Sequence, residues 1–97
     1  MRSRYLVCYD IRNDARLRRT AKVAEAFGFR LNYSVFLCDL SEVELTRLEA
    51  GLRDAVDLRV DSVLIVNLGP GGPSTDRRLR WLCGGVPVPD SGSAAIV

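Results

Sequence analysis

The run Tyr5-Leu6-Val7-Cys8-Tyr9-Asp10-Ile11 constrains this chain more than any other segment. At the two-residue period of a strand, Tyr5, Val7, Tyr9 and Ile11 share one face. Leu6 and Cys8 share the other face with Asp10. Both faces are apolar up to that aspartate, so the strand belongs in the middle of a sheet.

The rest of the chain supplies the partners for such a strand. Asn13 or Asp14 can cap a helix running to about Phe27, and Gly28 suits its stop. Leu17, Ala21, Ala24 and Gly28 make one stripe of that helix, with Arg16, Arg18, Arg19 and Lys22 on the opposite arc. Residues 30–39 form a second β segment, readable as one long strand, a bent strand or a tight hairpin. Ser41-Glu42-Val43-Glu44 is a capping box for a second helix, which carries Leu45, Leu48 and Leu52 and fades near Ala55. Ser62 to Leu68 is a β-branched strand, and Gly69 to Pro73 breaks regular structure. Arg78 to Cys83 is expected to be a short edge strand. The order predicts an α+β fold, with an antiparallel or mixed sheet and two helices on one face. An apolar opposite face would need a cover, and dimerisation is the economical one.

At 97 residues the expectation is one domain over residues 1–83, followed by a Gly/Pro/Ser-rich tail over 84–97. The apolar end of that tail, Ala94-Ala95-Ile96-Val97, suits a strand that docks on a partner. No apolar run approaches the ~18–20 residues of a membrane span, and charges at Asp10, Arg12 and Asp14 interrupt any secretory leader. Cys8, Cys38 and Cys83 are widely spaced and odd in number, which points to buried free thiols in a reducing cytoplasm rather than disulfides or zinc.

The net charge of +2 hides an asymmetry. Residues 1–30 carry eight basic and three acidic side chains, whereas residues 31–61 carry three basic and seven acidic. Arginine makes up 13 of the 14 cations, and its planar fork suits phosphate oxygens. The alternative is a solvated helix face. The chain has no histidine, which removes phosphodiester cleavage by histidine pairs and leaves metal-activated water. Mg²⁺ needs only one or two carboxylates besides substrate oxygens. One Asp10 per chain is thin, but two copies meeting at a dyad would supply two. Taken alone, Asp10 reads more simply as the cap of a turn.

In order along the chain stand Tyr9-Asp10-Ile11, Asp14, Arg16-Leu17-Arg18, Lys22-Val23, Gly28, Tyr33-Ser34-Val35-Phe36, Ser41 to Leu45 and Asp61-Ser62-Val63. This ordered set, over roughly residues 4–68, resembles the small CRISPR-associated endoribonuclease family, the non-integrase subunit of the spacer-acquisition machinery. The resemblance implies a ferredoxin-like sandwich that dimerises through its sheet faces. It implies a Mg²⁺-dependent endonuclease acting on single-stranded RNA or double-stranded DNA, with Asp10 as catalytic and metal-binding residue. It also implies nucleic-acid contacts from Arg16, Arg18, Arg19 and Lys22, with Ser34 as support for the site. A CRISPR integrase subunit is the implied protein partner. The alternative function is a non-catalytic dimeric scaffold that bridges integrase subunits and binds DNA. A toxin-type ribonuclease and a small-molecule regulatory domain are the remaining readings of the same fold.

Overall fold

The computed structural model describes residues 1–86. β1 (Arg2–Asp10), α1 (Asp14–Phe27), β2 (Gly28–Asn32), β3 (Val35–Ser41), α2 (Glu42–Ala55) and β4 (Ser62–Gly69) follow in order. A single helical turn, α3 (Pro73–Asp76), comes last. The strands form one antiparallel sheet in the order β2-β3-β1-β4. With α1 and α2 packed together on one face, this βαββαβ chain is the expected ferredoxin-like fold. β1 lies inside the sheet, as its two apolar faces require.

The core lies between sheet and helices. Tyr5, Val7 and Tyr9 from β1 and Phe36, Cys38 and Leu40 from β3 face Ala24, Leu48 and Leu52. The buried side of α1 differs from the expected stripe, because Thr20 is buried beside Ala24. Its hydroxyl donates to the Arg16 carbonyl at 2.8 Å, so burial leaves no unpaired donor. The capping box forms as expected: the Ser41 amide donates to Glu44 Oε1 at 2.9 Å and the Glu44 amide to Ser41 Oγ at 3.2 Å. Gly51 lets the two helices approach, since a Cβ there would lie 2.9 Å from Val23 Cγ1.

Two local expectations change. No residue separates α1 from β2, and Gly28 is extended (φ −159°) rather than a left-handed helix stop. It is glycine because a Cβ would sit 2.4 Å from Cys38 Sγ and 2.6 Å from the Leu37 carbonyl oxygen. Arg78 to Cys83 forms no strand. Pro73 instead opens α3, pre-set by its ring for a first helical turn, and residues 77–86 add no strand to the sheet. Residues 30–39 resolve into a hairpin, with Tyr33 and Ser34 as the turn.

The opposite face of the sheet is covered over only part of its area. Arg4 points there and is almost fully buried, with its Nη1 3.3 Å from Asp76 Oδ1. Thr75 is buried beside it and donates to the Pro70 carbonyl. Leu79 and Trp81 share a groove with Leu6, Leu31 and Val35. The segment after β4 thus lies as a strap along this half. Among the described residues nothing covers the other half, with Cys8, Asp10, Ser62 and Leu64, and Leu64 is 61% exposed. Of the cysteines, Cys38 is buried, Cys8 half-buried and Cys83 exposed, all as free thiols. The expectation of buried thiols therefore fails at Cys83. Among the described residues no helix is long and apolar enough to cross a membrane. The expected terminal strand at Ala94 to Val97 lies outside the described residues.

Candidate metal and nucleic-acid site

One end of the sheet gathers the C-terminus of β1, the start of α1, the β2–β3 turn and the start of β4. Asp10 pairs with Ser62 in the β1–β4 register. The Tyr9 amide donates to the Ser34 carbonyl at 3.1 Å, which fixes the turn beside β1. Asp10 and Ser34 therefore lie at the same end. The pleat sends Tyr9 into the core and Asp10 to the open half of the opposite face. The Asp10 side chain is 68% exposed, with Arg12 Nη2 3.7 Å away as its cationic neighbour.

Asp61 organises this end. Its side chain is closed to solvent and accepts four hydrogen bonds. Two come from backbone amides, Arg12 and Asp57, each at 2.8 Å. Two come from Arg16, from Nε at 2.7 Å and Nη2 at 3.2 Å. The Arg16 hydrogen bonds hold the carboxyl well below the usual carboxylate range, against the opposing effect of burial, and the two amides add to them. One residue thereby ties the loop after β1 to the loop before β4, and it positions the backbone next to Asp10.

The four basic residues expected to contact nucleic acid do not share one environment. Arg16 is half-buried and engaged with Asp61. Arg18, Arg19 and Lys22 are exposed along α1. Asn13 caps that helix by accepting the Arg16 amide at 2.9 Å, and Asp14 takes the first helical position. The exposed cations thus form an arc on the helix that starts beside Asp10.

Sequence reasoning placed Asp61 only within a motif and gave it no role. Its one sequence signal was position, an aspartate directly before a β-branched strand. Among the described residues no group of three or more His, Cys, Asp or Glu is placed to hold a metal ion. Asp61 is engaged, so each chain offers the exposed Asp10 carboxylate at this end. That donor count fits Mg²⁺ only if a second carboxylate or substrate oxygens complete the set.

The family model described as CRISPR associated protein Cas2 matches residues 1–72. A CRISPR-associated endoribonuclease Cas2 from Geobacter sulfurreducens is 44% identical over 66 residues, spanning 68% of this chain and 70% of that protein. The crystal structure of Streptococcus pyogenes Cas2 superposes with a TM-score of 0.70 at 29% identity, covering 82% of this chain and 99% of that one. A hypothetical protein from Thermus thermophilus superposes with a TM-score of 0.78 at 28% identity, over 92% of this chain and all (100%) of that one. The ferredoxin-like topology and the family match over residues 1–72 agree, and the chain belongs to the CRISPR-associated Cas2 family.

Proposed function

We propose that this protein is a metal-dependent endonuclease of CRISPR adaptation, active as a homodimer on RNA or DNA phosphodiesters. The observation that carries the reading is the position of Asp10. It stands exposed on the open, partly apolar half of the sheet, beside Cys8 and Leu64, where a second copy can seat face to face. Such apposition brings two Asp10 carboxylates to one dyad, which supplies the pair that Mg²⁺ accepts. Bound there, Mg²⁺ would supply an activated water and neutralise charge on the phosphate. Arg18, Arg19 and Lys22 hold the sugar–phosphate backbone without reading its sequence. Arg16 and Asp61 hold the loop that carries Arg12 next to Asp10, and Ser34 supports β1 through its carbonyl. An integrase subunit is the protein partner this role requires.

The second reading is the non-catalytic scaffold, a dimer that bridges integrase subunits and carries DNA on the same cations. The Arg12–Asp10 pair favours it, because the carboxylate then has a cationic partner within its own chain. Wild type and Asp10→Asn, assayed on labelled single-stranded RNA and duplex DNA with Mg²⁺, Mn²⁺ or chelator, separate the two. Cleavage by wild type alone, abolished by chelator, supports the nuclease. Salt-sensitive binding by both proteins without cleavage by either supports the scaffold.

A further inference from the structure

Part of the α1 cation arc borders a recess on the helix side of the sheet, the face opposite Asp10. Between α1 and the β2–β3 turn is a recess of about 340 Å³, whose lining includes Tyr9, Arg18, Lys22, Glu25, Arg30 and Tyr33. That volume is within the usual range for small-ligand pockets. Arg18 and Lys22 are four residues apart, hence on one face of the helix. Arg30 lies over the Phe36 ring at 5.1 Å and is 3.6 Å from Glu25, which offsets the one carboxylate present. Tyr33 stands 69% exposed at the turn, an aromatic face with no core to serve.

Tyr9 lines the recess but is only 6% exposed, its hydroxyl closed to solvent and close enough to the Arg30 guanidinium to be influenced by it. Burial pushes the phenol above its ordinary value although Arg30 pulls it down, so at neutral pH it is a donor as well as an acceptor. Cations for a phosphate beside an exposed aromatic platform are the elements that hold a single nucleotide with its base unstacked from neighbours.

We infer that this recess is a subsite for one unpaired nucleotide, with its base on Tyr33 and its phosphate on Arg18 and Lys22. The inference rests on the nucleic-acid binding proposed above and adds a preference that phosphate contacts alone cannot give. A strand with free bases binds through stacking and charge together, whereas a blunt duplex binds through charge alone.

The test is fluorescence anisotropy on the full-length protein with three labelled probes: a single-stranded oligonucleotide, its blunt duplex, and an abasic strand of equal length. Tyr33→Ala is expected to weaken single-strand binding by roughly 5- to 150-fold and to leave the duplex unchanged. Tyr33→Trp should restore the single strand, and the abasic strand should be insensitive to both changes. Single-strand affinity of Tyr33→Ala within twofold of wild type overturns the subsite, and so does an equal loss on strand and duplex. Wild type that binds none of the probes overturns the proposed function as well.

Discussion

The salt dependence of duplex binding turns the different environments of the α1 cations into a measurement. Each phosphate neutralised by a cation contributes about −0.9 to the slope of log K against log salt. Arg18, Arg19 and Lys22 are exposed and free to neutralise phosphates, whereas Arg16 spends two N–H groups on Asp61 at 2.7 and 3.2 Å. Replacing any one of the three exposed residues by alanine should therefore make the slope shallower by about 0.9, and replacing all three by about 2.7. Between 50 and 200 mM salt the triple change removes roughly a 40-fold dependence on salt for each contacted protomer. Arg16→Ala should lower stability, because it strips a closed carboxylate of its cation, while the slope stays at the wild-type value. Titrations at four or more salt concentrations, with circular dichroism on every variant, carry the comparison. A folded Arg16→Ala protein that loses the same 0.9 or so would refute the assignment, as would a triple variant with an unchanged slope.

Further predictions concern acid stability, the helix–strand junction and the thiols. Because the Asp61 carboxyl is depressed in the folded protein, its stabilisation is complete above the unfolded value near ~4 and is lost as pH falls through the acid range. In urea unfolding followed from neutral to strongly acid pH, Asp61→Asn should be less stable near neutrality and show a shallower acid loss. Glu44, held low by the Ser41 amide, and Asp57, held low by Arg59, act in the same direction. An unchanged acid profile would remove Asp61 from its central role. Gly28→Ala should cost about 1–3 kcal/mol by overpacking, a melting temperature lower by roughly 5–20 °C. Gly28→Asn should be worse still, whereas a left-handed helix stop would tolerate asparagine. Thiol labelling should proceed at Cys83 in the native state and at Cys38, pushed up to about 12 by burial, only on unfolding. Cys8 should label faster at protein concentrations low enough to separate the proposed dimer, and a concentration-independent rate would argue against the sheet-face interface.

The framework of this fold was legible because it rests on local signals. β1 declared its central place through two apolar faces, and α2 its start through reciprocal Ser41 and Glu44 side chains. The features that escaped were set by contacts distant in sequence. The hairpin at Tyr33 and Ser34 lacks the Asn-Gly or Asp-Gly pair that marks a two-residue turn. Arg4 reads as an exposed strand residue until Asp76, 72 positions later, is placed beside it. In the site, Asp10 was visible as the polar end of an apolar strand. The division of labour within the arginine cluster was not, because it depends on Asp61 arriving from the start of another strand.

The direct passage from α1 into β2 has a geometric consequence. With no linker to absorb slack, the rotational phase of the helix and the pleat of the strand are locked like two gears on one shaft. One residue inserted between Phe27 and Gly28 would turn the preceding helix by about 100° if the strand register held. If the helix held instead, every side chain of β2 would change face. The bearing of the arginine arc toward the Asp10 end is therefore written into chain connectivity. Change in this protein must come by substitution along the helix rather than by lengthening the helix–strand junction.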